Sequence, residues 1–402
     1  MPPSLNETAP ASVGLSSHRL DRIASAMRRE IAAGSIPGAV VGVMREGRLA
    51  YLQAFGHRDA HSEEPLKADA LFSIASMTKP MTSAAIMMLH EEGRVLLGDP
   101  VGKYLPELAE LRVAIELDPN KAETRPAVRQ PTLQDLLRHT SGLTYRDRGV
   151  SAAHKMHPGG SITAMITTSK AETLSQLAKA PLLFEPGTDW EYGFSTDVLG
   201  FIVEAVSGTT LDAFLKERLW TPLGMADTSF DLPAQKQQRY AHALPHDPLT
   251  GAKQSVHHAK THTALWHSGG GGALSTPTDY LRFAEMIRCG GKLGETRVLG
   301  RKTVGLMTAD HLPAGLGARI ADSMDPAAAG YGFGLGFAVR RQDGIPAMSG
   351  STGDVYWSGV YGTYFWVDPA ERLSAVFMAA APGLIRMRYR QMVRGLVYQA
   401  LE

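Results

Sequence analysis

The 402-residue chain has little of several features that point to a particular environment or partner. It contains one cysteine, Cys289, so no intramolecular disulfide can form and nothing in the cysteine content requires an oxidising compartment. Its 41 Lys and Arg against 40 Asp and Glu leave a formal net charge of +1, which gives no electrostatic reason to expect nucleic acid or an acidic membrane as partner. A small neutral substrate fits this balance better.

The sequence also lacks apolar segments of the kind that carry a chain to or through a membrane. Residues 1–18, MPPSLNETAPASVGLSSH, have neither a basic start nor an apolar stretch, so they do not resemble a secretion signal. No later apolar run approaches the roughly 20 residues needed to span a bilayer. We therefore expect a cytoplasmic protein without a membrane span, and the sequence leaves its oligomeric state open.

What the sequence does contain is two β-rich ends around a helix-rich middle. GAVVGVMREGRLAYLQAFG near the start predicts a hairpin, and YGFGLGFAV, YWSGVYGTYFWVD and RLSAVFMAAA predict strands near the end. Because short turns favour antiparallel pairing, both ends should join one antiparallel sheet. The chain is longer than one compact core usually organises. We predict an α+β fold, with an α/β domain of residues 15–98 and 255–402 and a mainly helical insertion lobe of residues 99–254.

A serine and a lysine stand three residues apart in the stretch FSIASMTKPMTSAAIMMLHEEG. The Ser76-x-x-Lys79 spacing is a weak signal alone, since a capping serine followed by a solvated lysine would produce it too. However, the following helix is apolar on nearly every side, which is typical of a buried helix, and Pro80 is tolerated only near a first turn. Ser76 and Lys79 would then share one face. A buried amine must be paired or have a lowered pKa, and a lowered pKa would make it a usable base.

With these residues in view, five segments in order make the chain similar to a known superfamily. They are SMTK at 76–79, LLRHTSGL at 136–143, FEPGTDWEYGFSTDVLG at 184–200, GGALSTPTDYLRF at 271–283 and YWSGVYGTYFWVDP at 356–369. The chain resembles the serine β-lactamase and penicillin-binding-protein superfamily, and specifically its family VIII carboxylesterase branch, which looks like class C β-lactamases. The resemblance runs from about Gly38 to Pro382 and implies a β-lactamase/transpeptidase-like fold.

The resemblance implies a catalytic serine at Ser76 with Lys79 and Tyr192 as its partners. Tyr192 matches the family's Tyr-x-Asn position, although this chain has Phe194 in place of the asparagine. A tyrosine in DWEYGF could equally be a core residue packed beside Trp190. Its assignment to catalysis therefore depends on the other motifs.

The family's third motif, Lys-Thr-Gly in β-lactamases, falls on Trp357, Ser358 and Gly359. The resemblance makes these three residues part of the substrate site, and it makes the backbone N–H groups of Ser76 and Val360 the oxyanion hole. In the lactamases that lysine helps to bind the substrate carboxylate, which an indole cannot do. We therefore expect an apolar wall and neutral esters, although Trp357 could also be a core residue, and the hydroxyl of Ser358 has no assigned role.

The chemistry implied by the resemblance is acyl transfer without a cofactor. Ser76 would attack the carbonyl of a short-chain ester, the alcohol would leave, and water would release the acyl-enzyme. Either neutral Lys79 takes the serine proton, or charged Lys79 favours the phenolate of Tyr192 as the base. The same residues could serve an acyltransferase, an amide hydrolase or a weak β-lactamase. Outside the enzymes, a non-catalytic ligand sensor with the same fold is the alternative.

Three other patterns favour no function of their own. SVHHAKTHTALWH brings together four histidines without a cysteine or carboxylate, which favours a loop at the pocket rim over a metal site; they are His257, His258, His262 and His267. SGGGGALS lacks the Gly-Lys-Ser/Thr ending of a phosphate loop and predicts close packing beside the active serine. No Gly-x-Ser-x-Gly occurs, which disfavours an α/β-hydrolase.

Overall fold

A computed structural model describes residues 5–60, 64–254, 263–313, 315–316, 320 and 324–402. Its strands, in chain order, are β1 (Gly38–Arg45), β2 (Arg48–Gly56), β3 (Phe72–Ser73), β4 (Arg112–Ala114), β5 (Thr124–Pro126), β6 (Leu274–Ser275), β7 (Lys292–Leu293), β8 (Thr296–Arg297), β9 (Tyr331–Phe333), β10 (Ala338–Arg340), β11 (Val355–Ser358), β12 (Tyr364–Asp368) and β13 (Leu373–Ala379). Its α-helices are α1 (Ser17–Ala32), α2 (Thr78–Glu91), α3 (Leu133–Leu137), α4 (Ala152–Met156), α5 (Ser161–Thr167), α6 (Lys170–Lys179), α7 (Ser195–Ser207), α8 (Leu211–Leu215), α9 (Thr221–Leu223), α10 (Pro277–Arg288), α11 (Arg301–Met307) and α12 (Ile385–Tyr398).

Seven strands form one antiparallel sheet in the order β2-β1-β13-β12-β11-β10-β9. The strand nearest the N-terminus therefore pairs with the last one, in a register that runs from Ala39 opposite Ala379 to Arg45 opposite Leu373. β11 pairs with β12 so that Trp357 lies opposite Phe365. The predicted fold class is confirmed, because strands from both chain ends share this sheet.

Helices cover both faces of the sheet centre. α10 packs against β1, β12 and β13, while α1 packs against α12 and against β1 and β2. As a result every residue of β1, β12 and β13 is buried. Strands covered on both faces carry continuous apolar sequence, which explains runs such as GAVVGVM and LSAVFMA.

The helix that follows Ser76 joins this domain to the helical part of the chain. α2 is buried from Thr78 to Leu89, as its all-round apolar sequence predicts, and it packs against α7 and α8. Residues 99–254 hold α3 to α9 and the small β4–β5 sheet. The lobe boundaries at 98/99 and 254/255 stay a prediction.

Helix length bears on the expected absence of a membrane span. In the described residues no single helix is long and apolar enough to cross a bilayer. α7 meets the length and composition requirements only together with Leu211–Leu223, and the two are bent by 81°. The α7 residues from Ser195 to Val203 are buried inside the protein.

Candidate active site

Ser76 lies in a single 3-10 turn, Ala75–Met77, that leads directly into α2. Ala75 has a φ of 44°, a left-handed conformation that a residue with a Cβ atom rarely adopts. Two hydroxyl groups hold the turn. That of Thr78 donates to the Ala75 carbonyl at 2.7 Å, and that of Tyr280 donates to the Met77 carbonyl at 2.7 Å. The surrounding structure thus maintains a strained backbone next to a half-buried serine.

A cavity of about 360 Å³ lies against Ser76. Its wall includes Tyr145, Ser161 and Tyr192 from the helical part of the chain, Gly270 from the segment before β6, and Trp357, Ser358 and Val360 at the end of β11. Of the predicted site residues, this one cavity brings together Ser76, Tyr192, Trp357, Ser358 and Val360. Lys79 and Gly359 are buried behind the wall.

The amine of Lys79 is enclosed, with 1% of the residue exposed. Its Nζ donates to the carbonyl of Gly270 at 2.6 Å and to the hydroxyl of Tyr145 at 3.2 Å. It also lies 4.5 Å from the centre of the Tyr192 ring. Within the described residues, the hydroxyl of Ser76 forms no hydrogen bond with Lys79 or Tyr192, so the three side chains are neighbours without direct bonds to the serine.

The charge state of Lys79 decides between the two explanations for its burial. Burial by itself lowers the pKa of an amine, but Tyr145, Tyr192 and Asp197 raise it, and the net pKa of Lys79 lies above its ordinary value. The electrostatic surroundings of Lys79 thus favour pairing over a lowered pKa. Its observed hydrogen-bond partners are the Gly270 carbonyl and the Tyr145 hydroxyl.

The ring of Tyr192 is packed on several sides, while its hydroxyl has no hydrogen-bond partner in the described part of the chain. Ring centres lie 4.8 Å away at His139 and 5.5 Å away at Trp357. The next residue must be glycine, because a Cβ at Gly193 would come within 2.4 Å of the Thr144 backbone. The ring is thus fixed by packing, and its buried hydroxyl keeps the capacity to bond a proton donor at the cavity wall.

Sequence reasoning missed four residues that surround Lys79. The hydroxyl of Tyr145 lies 2.6 Å from that of Ser161, which donates to Asp197 at 2.5 Å. Asp197 also accepts from the backbone N–H of Gly270 at 2.9 Å. One signal was present for Asp197, since it is a carboxylate directly before the apolar run VLGFIV of α7. For Gly270 the signal was the glycine-rich segment SGGGGALS, whereas no local pattern separates Tyr145 and Ser161 from their neighbours.

The end of β11 approaches the chain just before Ser76. A Cβ at Gly359 would lie 2.4 Å from the carbonyl oxygen of Ile74, so only glycine allows this contact. The hydroxyl of Thr363 donates to the same carbonyl at 3.2 Å. Val360 follows at the cavity wall, and its backbone N–H forms no hydrogen bond within the described residues. The two predicted oxyanion donors therefore belong to segments that pack together.

The cavity wall is less apolar than the sequence predicts. The indole of Trp357 is buried, but charged side chains line another part of the cavity, namely Asp147, Arg148, Asp325, Arg386 and Arg390. Arg390 donates from Nη2 to the carbonyl of Gly359 at 2.8 Å. Burial, together with the nearby Arg386, lowers the pKa of Arg390 to about 10. The expectation of an apolar wall holds only around Trp357.

The structure can be compared with only part of the predictions for the histidine segment SVHHAKTHTALWH and with the prediction for the glycine segment SGGGGALS. His257, His258 and His262 lie outside the described residues, and His267 stacks on Phe230 with ring centres 4.9 Å apart. The described ranges contain no group of three His, Cys, Asp or Glu residues that could hold a metal ion. In SGGGGALS, the carbonyl of Gly270 contacts the amine of Lys79. Ala273 of the same segment accepts from the N–H of Ile74 and donates to the hydroxyl of Thr78, so the segment packs against the turn that carries Ser76.

A profile of the Beta-lactamase family matches residues 23–395 of this chain. The chain belongs to the beta-lactamase family. Esterase EstB of Burkholderia gladioli is 31% identical over 388 residues, which cover 90% of this chain and 89% of EstB. Protein Rv1367c of Mycobacterium tuberculosis is 34% identical over 375 residues, which cover 89% of either chain.

A solved structure extends this family relationship to three dimensions. EstCE1, described as a hydrolase with promiscuous acyltransferase activity, matches with a TM-score of 0.78 and 26% identity over 95% of this chain and 99% of EstCE1. The β-lactamase-like fold and the serine β-lactamase and penicillin-binding-protein superfamily are confirmed, and EstB and EstCE1 support the predicted family VIII esterase branch. The chain is a serine hydrolase of this superfamily.

Proposed function

We propose that the protein is a carboxylesterase that cleaves short-chain esters through an acyl-enzyme on Ser76, with Lys79 and Tyr192 as the base pair. The observation that carries this proposal is that Ser76 and Tyr192 line one cavity directly in front of the buried amine of Lys79. The esterase relatives EstB and EstCE1 support the choice of an ester as substrate.

The charge on Lys79 favours Tyr192 as the immediate base. Because the pKa of Lys79 lies above its ordinary value, the amine is an ammonium at neutral pH and has no lone pair for a proton. The phenolate of Tyr192 takes the proton of Ser76 as Oγ attacks the ester carbonyl, and the nearby ammonium stabilises that phenolate.

Each later step returns the proton that Tyr192 has taken. When the tetrahedral intermediate collapses, the leaving alkoxide receives the proton from Tyr192 and departs as the alcohol. A water molecule then gives a proton to Tyr192 and attacks the acyl carbon, and the proton passes back to Ser76 as the acid leaves. The backbone N–H groups of Ser76 and Val360, with the N-terminus of α2, stabilise both oxyanions.

The cavity supports a small substrate. Its volume of about 360 Å³ lies near the lower end of the range for ligand pockets, which suits a short acyl chain and a modest alcohol. Trp357 occupies the position of the lactamase lysine, so the pocket lacks the cation that binds the carboxylate of a lactam there. Amide and β-lactam hydrolysis are therefore the weaker candidates.

Acyl transfer to an alcohol is the second candidate function. The observation that favours it is the promiscuous acyltransferase activity of EstCE1, whose structure covers nearly the whole of this chain. Transfer would use the same acyl-enzyme, with an alcohol replacing water in the second step. Product analysis with p-nitrophenyl butyrate and added alcohol measures the ratio of new ester to free butyrate.

The test of the proposed function is covalent labelling of Ser76. Intact mass after incubation with a fluorophosphonate should show one adduct on the wild-type chain and none on Ser76→Ala. The same substitution should lower kcat/KM for p-nitrophenyl butyrate by more than about 1,000-fold, because the covalent route is lost. Ser25→Ala, at an exposed serine of α1, is the matched control that should label normally.

Two results would contradict this function. Wild-type protein that gains no fluorophosphonate adduct would point to the non-catalytic ligand sensor. Wild-type protein that turns over nitrocefin faster than p-nitrophenyl butyrate would point to a β-lactamase.

A further inference from the structure

A closed ring of hydrogen bonds links Lys79 to the buried carboxylate of Asp197. On one side, Lys79 Nζ donates to the carbonyl of Gly270 at 2.6 Å, and the N–H of Gly270 donates to Asp197 Oδ1 at 2.9 Å. On the other side, Nζ donates to Tyr145 at 3.2 Å, Tyr145 lies 2.6 Å from Ser161, and Ser161 donates to Asp197 Oδ2 at 2.5 Å. Two routes thus connect the ammonium with one carboxylate.

The direction of the second route follows from the chemistry of its ends. A carboxylate only accepts, so the single hydroxyl proton of Ser161 is used on Asp197. An ammonium only donates, so Tyr145 accepts from Lys79 and must give its own proton to Ser161. Tyr145 is therefore held as a neutral phenol, and burial, the first cause, likewise raises its pKa. Of the two tyrosines beside Lys79, only Tyr192 retains an uncommitted hydroxyl in the part of the chain that the structure describes.

Asp197 is fully buried, unlike the partly exposed carboxylates that usually cap helices or turns. It is 0% exposed in the apolar helix α7, and a third donor, the hydroxyl of Ser268, reaches it at 2.5 Å. A carboxylate is costly to bury unless donors and a counter-charge compensate it. All three donors in the described residues are neutral, and two of them, Gly270 and Ser161, connect Asp197 with the amine of Lys79.

The sequence makes room for this arrangement with a glycine. A Cβ on Gly270 would lie 2.4 Å from Asp197 Oδ2 and 2.6 Å from Ser161 Oγ. No other residue type would fit at position 270, where the backbone N–H faces the carboxylate and the carbonyl of the next peptide group faces the ammonium. The backbone of Gly270, from its N–H across its Cα to its carbonyl, therefore couples the position of Asp197 to that of the Lys79 amine.

We propose that Asp197 is a positioning residue for hydrolysis: through Gly270 and through Ser161 and Tyr145 it holds Lys79 as a fixed ammonium and leaves Tyr192 as the base. This inference rests on the proposed function of Ser76, Lys79 and Tyr192. Asp197 contacts neither the cavity nor the substrate in this scheme, and it acts only through the ring.

Several charged or titratable groups face this ring and shape its pH dependence. They are Tyr145, Tyr192, Asp197 and His139 around Lys79, with Arg148 on the Tyr192 ring. Burial raises the pKa of Asp197, against the opposing effects of Lys79 and the three donors. Asp197 in turn is one of the groups that raise the pKa of Lys79. Removing the carboxylate should therefore make Lys79 lose its proton at a lower pH.

The test is Asp197→Asn, measured with p-nitrophenyl butyrate and with the fluorophosphonate over a range of pH. We expect kcat to fall at least about 100-fold while KM changes little, by analogy with orienting carboxylates in other serine hydrolases. The alkaline limb of kcat/KM and of the labelling rate should move to lower pH. A purely structural role would reduce the amplitude without moving that limb, which would overturn the proposal.

A second variant covers the case in which Asp197→Asn does not fold. Ser268→Ala removes one donor from Asp197 without touching the cavity, so the carboxylate should protonate more readily and the acid limb should move to higher pH. The matched control is Ser374→Ala, which removes a 2.9 Å hydroxyl donor from the equally buried Glu285 in the sheet domain. Ser268→Ala with the pH profile of Ser374→Ala would overturn the proposal.

The outcomes also separate this inference from the proposed function. If the wild-type chain does not label at Ser76, the proposed function itself fails. If the wild type labels and a folded Asp197→Asn labels at the same rate and with the same pH profile, only the role of Asp197 fails. Far-UV circular dichroism and thermal unfolding establish which variants are folded.

Discussion

Two tyrosine hydroxyl groups reach the region around Lys79, and they differ in what they can still bond. Tyr145 accepts from the ammonium and lies within 2.6 Å of Ser161, so both of its roles are used. The hydroxyl of Tyr192 is buried without a partner in the described residues and lies at the wall beside Ser76. A buried hydroxyl without a bond costs free energy, which is accepted where a reacting group will bond it.

The first prediction compares the two phenols by removing each oxygen. Tyr192→Phe should lower kcat for p-nitrophenyl butyrate by roughly 100- to 10,000-fold, the usual contribution of a general base. Tyr145→Phe should cost clearly less, because Lys79 keeps its bond to the Gly270 carbonyl. Steady-state kinetics of both variants at one pH provides the comparison. A larger loss of kcat in Tyr145→Phe than in Tyr192→Phe would indicate that Tyr145, and not Tyr192, is the base.

At the scale of elements, the C-terminal helix α12 is tied to the end of β11 by a buried arginine. Arg390 is 7% exposed and donates to the carbonyl of Gly359, the residue before the predicted oxyanion donor Val360. Its Nε has no partner among the described residues, and no carboxylate pairs with it there. A guanidinium on the carbonyl side of a peptide orients and polarises its N–H side, so the helix takes part in presenting Val360.

The second prediction removes this tie with Arg390→Met. We expect kcat to fall about 10- to 100-fold, somewhat less than the loss of an oxyanion donor itself, because the Val360 N–H remains but is less well oriented. Fluorophosphonate labelling of Ser76 should slow by a similar factor. The matched control is Arg388→Met on the same helix, whose ion pair with Glu30 lies away from the cavity. Equal activity of the two variants would argue against a role for Arg390.

At the scale of the whole molecule, buried neutral histidines make stability depend on pH. Burial, the largest cause, lowers the pKa of His157 to about 4, and it lowers the pKa of His139 well below its ordinary value. A histidine whose pKa is lower in the folded chain binds protons first in the unfolded chain. Stability from this source is complete above about pH 6.5 and is lost as the pH falls from there towards 4.

The third prediction isolates His157 within this dependence. Between pH 7 and pH 4 the free energy of unfolding should fall by up to roughly 3 kcal/mol because of this one residue. Asp279 has the opposite effect in the same range, since burial raises its pKa to about 6. The measurement is therefore the difference in the free energy of unfolding between wild type and His157→Phe, taken from urea unfolding at several pH values. Parallel pH curves for the two proteins would show that His157 contributes nothing.

Sequence patterns determined much of this architecture because the interactions they report are local. Apolar residues on every side of MTSAAIMML predict a buried helix, and α2 is buried along almost its whole length. Strand-like segments joined by short turns predict antiparallel pairing, which the seven-stranded sheet shows. The three-residue spacing of Ser76 and Lys79 likewise lies within one turn of chain, so their proximity needed no knowledge of the rest of the fold.

Only the tertiary structure decided what surrounds Lys79. Four separate segments contribute to this surrounding, through Tyr145, Ser161, Asp197 and Gly270. No spacing in the chain indicates that their polar atoms form a series of hydrogen bonds, each 3.2 Å or shorter, that begins and ends at Lys79. The charge of the amine depends on its pKa, which burial lowers and the neighbouring groups raise. The net effect is a raised pKa, opposite to the effect of burial alone. Local sequence thus determined which residues could react, whereas packing between distant segments decided in which protonation state they are held, because electrostatic energies depend on distances in space and not along the chain.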